Sequence, residues 1–430
     1  MTCEIVVANR LGLALAADSA VTFSSQKGNT YASGANKIFQ LATSAPVAVM
    51  IYNGATLHGM PWEVILKAFR RSLGNRSCSK LSEYRDTLIS YLNAEALLLL
   101  PEEIRQAASK HAYEVAAGTL YGAMLKSQPI LEQAAPIADI DALRTAADQA
   151  FQEIEQTLEP LPVLPGLSDQ DLQPALDEYT ESLANLIDDH LRAQSSVLLG
   201  TLDSRRLARR AIETAFKMGN QVLQEGYTGL VLAGYGDDDY LPSFLSLHCH
   251  GFVGTRLLLT QESQGDINLG VTASLIHGFA QRAMIETFTQ GASPEVWRSV
   301  GMAFNTHAAA ACRSIVQSSG GHATDEQIAD AVAAVANDFN KQWAYSTFDA
   351  HLKPLREIVA GLALDELTEL AETLVMLESL KEKVTSRTQS VGGPIDVAVL
   401  TKEDGLIWIK RKHYFDPALN QRYINRLQQS

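Results

Sequence analysis

The opening run from Met1 to Thr22 constrains the fold more than any other stretch of this chain. Apolar Ile5, Val6 and Val7 precede a polar Asn9-Arg10 turn, and a run from Leu11 to Ala17 follows it, which predicts a β-hairpin. Antiparallel pairing returns the chain to where it began, so Thr2, opening the first strand, and Asp18, closing the second, come to lie close together. Thr2 is small enough for an aminopeptidase to take off Met1 ahead of it, which leaves an N-terminal threonine beside a carboxylate.

With 430 residues the chain has room for two or three average domains, or for one domain with large insertions. A net charge of −14 argues against nucleic acid or an anionic membrane surface as the main partner. The four cysteines, Cys3, Cys78, Cys249 and Cys312, lack paired spacing, which fits a reducing cytoplasm better than a disulfide framework. No basic segment with a long apolar core precedes the hairpin, and no apolar run reaches the roughly 18 to 20 residues of a membrane span. A cytoplasmic protein whose mature chain starts at residue 1 or 2 is therefore expected.

After the hairpin, Phe23 to Asn36 is rich in Ser, Gly and Asn and reads as an irregular loop. Lys37 to Leu41 and Ala45 to Tyr52 read as strands, and Trp62 to Leu73 and Leu81 to Leu100 as helices. Four further helical stretches follow, Glu102 to Lys126, Ile140 to Leu158, Gln170 to Leu199 and Ser204 to Leu223, too long a block to be a connection. Strands return at Thr228 to Tyr235, Phe244 to His250 and Thr255 to Thr260; Gly270 to Ser274 leads into a helix near His277 to Thr289. A second helical block spans Pro294 to Asp349, and Leu364 to Thr385 is an amphipathic helix. The strands Ile395 to Leu400 and Leu406 to Arg411 close the chain around a Lys402-Glu403-Asp404-Gly405 turn. Segregated blocks of strands and helices predict stacked antiparallel sheets and helices rather than βαβ units. The expected division is 1–100, 224–293 and 351–430 for the core, with helical insertions at 101–223 and 294–350.

Three separated segments resemble the proteasome β-subunit and HslV family of N-terminal-nucleophile hydrolases. Thr2 precedes Asp18 by sixteen positions, as the family's catalytic threonine precedes its acidic residue, and Ala17-Asp18-Ser19-Ala20-Val21-Thr22 is similar to the segment after the family's second strand. Lys37, opening Lys-Ile-Phe-Gln-Leu, is similar to the family's catalytic lysine. Gly392-Gly393-Pro394-Ile395-Asp396-Val397-Ala398 resembles a late strand and turn of that fold. The family's supporting aspartate falls here on Thr388, and its serine on Val391 unless Ser390 takes the place; a further supporting serine is matched by Ser274. The resemblance implies an α+β fold, a four-layer αββα sandwich with two large helical insertions. It implies a divergent bacterial-type member acting as a threonine hydrolase on peptide or other amide substrates, assembled as a ring-like homo-oligomer, with any ATPase partner unknown.

In that scheme Thr2, Asp18 and Lys37 are the catalytic residues, with no metal or cofactor. The α-amine of Thr2, of reference pKa about 7.7 to 8.0, takes the hydroxyl proton. The Lys37 ammonium lowers the amine's pKa by like-charge repulsion, and Asp18 holds the lysine. A main-chain N–H near Tyr52, Asn53 and Gly54 meets the oxyanion. Cys3 is an alternative nucleophile, although strand alternation turns it to the opposite face. His248-Cys249-His250 places two histidines on one face and reads as structural rather than as a metal site. Asp237-Asp238-Asp239 reads as a loop, and Lys410-Arg411-Lys412-His413 as a surface patch. The rival functions are a catalytically degenerate scaffold or binding protein and a small-molecule amidase or acylase.

Overall fold

Alternation along the first strand sets one face toward a second sheet and the other toward helices, and the rest of the chain is layered on that choice. The computed structural model describes residues 2–25, 28–95, 99–131, 140–194, 200–385, 391–412, 417–422 and 425. Strands β1 (Cys3–Asn9) and β2 (Leu13–Ala17) form the opening hairpin, and β3 (Ala20–Ser25) and β4 (Gly28–Ser33) a separate ribbon. β5 (Ile38–Gln40) and β6 (Val47–Tyr52) follow, then the short β7 (Thr56–Leu57) and β8 (Met60–Pro61), α1 (Trp62–Leu73) and α2 (Leu81–Leu92). The helical block comprises α3 (Glu102–Ser127), α4 (Ile140–Leu158), α5 (Asp169–Gln194) and α6 (Ser204–Val222). After it come β9 (Thr228–Gly234), β10 (Ser243–Val253), β11 (Arg256–Asp266) and β12 (Ser274–Ala280). Helices α7 (Ala283–Gln290), α8 (Pro294–Ser318), α9 (Asp325–Thr347), α10 (Lys353–Val359) and α11 (Leu364–Thr385) precede the closing pair β13 (Asp396–Thr401) and β14 (Gly405–Lys410).

The fold is α+β. One antiparallel sheet runs β12-β1-β2-β13-β14 and the other β11-β10-β9-β6-β5. Val6, Ala8, Leu13, Leu15 and Phe279 of the first sheet pack against Ala48, Met50, Tyr52, Val231 and Phe244 of the second. The alternate residues Cys3, Ile5, Val7, Ala14 and Ala16 meet α7 and α11 through Ile285, Leu367, Ala371 and Leu374. On the far side of the second sheet, Val47, Val49, Leu230 and Leu232 pack on Trp62, Phe69, Tyr84 and Leu88 of α1 and α2. Helices α3 to α6 build a core of their own around Tyr113, Phe151 and Phe216, and join the sheets at Val253 and Leu258. Helices α8 and α9 form a hairpin in which no residue of α8 is buried; Trp297 stacks on Trp343 and Phe304 on Phe339.

Several elements differ from the sequence-based expectation. The helix expected near His277 to Thr289 does not begin there: Ser274–Ala280 is the strand β12, seven residues of which pair with β1, and the helix starts only at Ala283. There Phe279 joins the core between the sheets and Ile276 packs on the helix side. Most of the stretch Phe23 to Asn36, expected as an irregular loop, belongs to the β3–β4 ribbon, in which Phe23 pairs with Thr30, Ser24 with Asn29 and Ser25 with Gly28 despite the Ser, Gly and Asn content. Helix α2 stops at Leu92 rather than Leu100, since Asn93 leaves the helix and its side chain accepts the N–H of Leu257.

Tyr52 ends β6 opposite Gly229, and a Cβ on that glycine would stand 2.0 Å from the tyrosine ring. The ring cannot swing aside freely, because its hydroxyl lies 2.8 Å from His248 Nε2 and 3.3 Å from Ser246 Oγ. Gly229→Ala is therefore expected to destabilise the protein by about 1–3 kcal/mol, the range for overpacking a filled core. A thermal midpoint unchanged from the parent protein would refute this tight approach.

Candidate active site

Asp18 follows β2, and its carboxylate gathers chain segments that are distant in sequence. Oδ1 accepts the Cys3 N–H at 3.1 Å; Oδ2 accepts those of Ala20 at 3.2 Å and Gly392 at 2.8 Å. The main chain returns a bond from Asp18 N–H to Cys3 O at 3.1 Å, and Ser19 N–H to Gly392 O at 3.1 Å. The segment before β13 is thus locked to the mouth of the opening hairpin, with Asp18 wholly buried.

Lys37 stands just before β5, its carbonyl accepting the Ile51 N–H at 2.9 Å. Its side chain is buried, and Nζ hydrogen-bonds Asp18 Oδ1 and lies 3.2 Å from Glu4 Oε1. Glu4 Oε1 meets the ammonium as an ion pair, and the Thr2 hydroxyl bonds Oε2 instead. Burial alone pushes the Lys37 pKa down, but Glu4 and Asp18 together outweigh it and the pKa is raised. Lys37 is an ammonium at neutral pH.

Thr2 is 5% exposed. Its hydroxyl donates to Glu4 Oε2 at 3.1 Å and accepts the Asn53 N–H at 3.3 Å. Its carbonyl accepts the Gln281 N–H at 2.9 Å, which fixes the main chain at the end of β12. A cleft of about 40 Å³ beside it is lined by Val21, Lys37, Tyr52 and Asn53 among others. Asn53 has φ 67°, the left-handed conformation that turns its N–H out of the β6 ladder toward Thr2. Gly54 N–H is already bonded to Tyr52 O at 2.9 Å, and a Cβ on Gly54 would lie 2.3 Å from Thr228 Oγ1.

Of the residues singled out from sequence, Asp18 and Lys37 form a direct ion pair, and Thr2 is joined to Lys37 through Glu4. Among Tyr52, Asn53 and Gly54, it is the Asn53 N–H that contacts Thr2 Oγ1. Ser274 is not brought there: it pairs with Asn9, at the far end of β1, and donates to Arg356 O at 2.7 Å. Thr388 and Ser390 lie outside the described residues. Cys3 faces the helices, fully buried, and burial pushes its thiol well up. His248 stacks on Tyr227 at 3.9 Å, His250 contacts Leu223 O and Thr260 Oγ1, and Cys249 packs on the opposite face. Asp239 accepts the N–H groups of Gly236 and Leu81 and pairs with Lys80 at 2.9 Å. Lys410 pairs with Glu372 and Lys412 with Asp396. Among the described residues no group of three or more His, Cys, Asp or Glu is placed to hold a metal ion, and no helix is long and apolar enough to cross a membrane.

Glu4 is the residue that sequence inspection missed. The signal was present: one carboxylate inside the otherwise apolar run Cys3 to Ala8, at an even position shared with Thr2, Val6 and Ala8. Burial pushes its carboxyl up to about 8, with Lys37 only partly opposing and Asp18 adding to the rise. A carboxyl raised in the folded state contributes its full stability below the unfolded value near 4.5 and loses it as pH rises through about 8. Glu4→Gln is neutral throughout, so the thermal midpoint of the parent protein relative to Glu4→Gln is expected to fall across that window. A constant offset between the two from mildly acidic to mildly alkaline pH would contradict a protonated Glu4.

No family model and no curated protein matches the chain. Among solved structures it is similar to a mutant of Anbu from Hyphomicrobium sp. strain MC1, at 9% identity and TM-score 0.28, covering 100% of this chain and 96% of that one. It is also similar to Anbu (ancestral beta-subunit) from Yersinia bercovieri, at 8% identity and TM-score 0.28, covering 100% of this chain and 95% of that one. These findings overturn the assignment to the proteasome β-subunit and HslV family: no family model matches, and the two solved structures named above are Anbu proteins at single-digit identity. The physical reason is that a hairpin of this length brings residues sixteen apart to one end whatever its ancestry, so the Thr2–Asp18 spacing reports local topology and not descent.

Proposed function

We propose that the chain is a threonine-type hydrolase of amide bonds that uses Thr2 as an N-terminal nucleophile after loss of Met1. The observation that carries this is the Thr2 hydroxyl held between a main-chain donor, Asn53 N–H at 3.3 Å, and a carboxylate, Glu4 Oε2 at 3.1 Å, with the Lys37–Asp18 pair behind them. In this proposal Thr2 Oγ attacks the substrate carbonyl and the Asn53 N–H, which lies 3.3 Å from that Oγ, is assigned to the developing oxyanion; such a donor is worth on the order of 3 kcal/mol of barrier. The free α-amine, with a reference pKa of about 7.7 to 8.0, is a base within the same residue. Water then releases the acyl group from Oγ. In this proposal the two sheets with helices on their outer faces form a four-layer αββα sandwich, and residues 101–223 and 294–350 are insertions into it.

A non-catalytic scaffold is the second reading, and the narrowness of the cleft, about 40 Å³, is what favours it. Intact mass separates the two. The proposed enzyme is expected to lack one methionine and to gain a stable adduct with an electrophilic peptide epoxyketone or a β-lactone, mapped to Thr2. Thr2→Ala should abolish the adduct, and Lys37→Ala should slow it by about 100-fold or more. Uniform retention of Met1 would sink the N-terminal-nucleophile reading, and a processed chain that resists a broad panel of electrophiles would leave the scaffold.

A further inference from the structure

β1 lies between β2 and β12, and Glu4 stands at one of its inward positions with no exposure to solvent. A carboxylate so placed is costly unless something uses it or neutralises it. Counter-charge for Lys37 accounts for only one of its oxygens: Asp18 also bonds that ammonium and is itself satisfied by the main-chain N–H groups of Cys3, Ala20 and Gly392. Glu4 instead divides its two oxygens. Oε1 faces the ammonium at 3.2 Å, and Oε2 accepts the hydroxyl proton of Thr2 at 3.1 Å.

The geometry points to Glu4 as the general base that takes the Thr2 hydroxyl proton, in place of the α-amine. The inference rests on Thr2 being the nucleophile, but not on the amine being the base. As Oγ bonds the substrate carbonyl carbon, its O–H bond breaks and the proton passes to Glu4 Oε2, while the carbonyl π electrons move onto oxygen beside the Asn53 N–H. On collapse the C–N bond breaks, and the same proton leaves Glu4 for the departing amine nitrogen. The acyl-enzyme holds an ionised Glu4, which then draws a proton from the attacking water and returns it to Oγ.

Burial sets when this base is available. Lys37 and Asp18 face Glu4 from the segments flanking β5 and β2, Tyr52 lies toward it from β6, and Cys3 is its neighbour in sequence on the opposite face. With its carboxyl pushed up to about 8, Glu4 holds a proton in most molecules at neutral pH and frees the base as pH rises. The Lys37 ammonium, at 3.2 Å, stabilises the ionised form that accepts the proton.

The test is the rate at which a small β-lactone acylates Thr2 in the full-length protein, followed by mass as a function of pH. The parent protein should show a rate that climbs through about pH 8. Glu4→Gln, checked for a cooperative thermal transition, should label about 100-fold more slowly or worse and lose the climb. Should Glu4→Gln not fold, Glu4→Asp carries the test: one methylene short of Oγ, it should slow labelling while keeping a pH-dependent limb. Either variant labelling at the parental rate with the parental limb would overturn the role of Glu4 and leave the amine as base. A parent protein in which the lactone never reaches Thr2 would overturn the nucleophile itself, and the base with it.

Discussion

One ammonium buried against two carboxyl groups is the interaction on which the rest of the site depends. Lys37 is removed from solvent together with Asp18 and Glu4, and a buried ion loses several kcal/mol of hydration that only close partners restore. The three charged groups come from three places in the chain: Glu4 from β1, Asp18 from the end of β2 and Lys37 from just before β5. The charge cluster can therefore exist only when both sheets are in register. Conversely, any shift of β1 by one residue would turn Glu4 and Thr2 toward the helices and bring Cys3 into the space between the sheets.

Polar satisfaction explains why Asp18 and Glu4 behave differently although both are buried near one lysine. Asp18 sits at a strand end, where main-chain N–H groups are free to point at it, and it collects three of them. Glu4 sits within a strand whose main-chain groups are committed to β2 and β12, and among the described residues its partners are the side chains of Lys37 and Thr2. Position in the ladder, rather than residue type, decides whether the buried carboxyl is held by main-chain N–H groups, as Asp18 is, or by side chains, as Glu4 is.

Much of the scaffold was legible because it is written in local patterns. Trp62–Leu73, Ile140–Leu158 and Leu364–Thr385 end where their apolar periodicity ends, and Asp18 is found by counting along a hairpin. What escaped depends on partners remote in sequence. β12 reads as a helix entrance because His277, Gly278 and the following Arg282 break its alternation, and only pairing with β1 makes it a strand. Glu4 escaped because its partners Lys37 and Thr2 are assembled by folding. Matching three short segments to a known family overreached for the opposite reason: each was a local pattern, and local patterns recur on chains that share little else.

The bond from Gly392 N–H to Asp18 spans nearly the whole polypeptide. Its consequence concerns the order of events during synthesis, which proceeds from the N-terminus. Thr2, Glu4, Asp18 and Lys37 are made well before β12, which pairs with β1, and longer still before the Gly392 segment that closes over Asp18. Until then the opening hairpin lacks a neighbour on both edges, and the ion cluster stays open to water. A ribosome-bound chain carries Thr2, Glu4, Asp18 and Lys37 without the assembled site, and whatever chemistry the site performs is deferred until the Gly392 segment has been made.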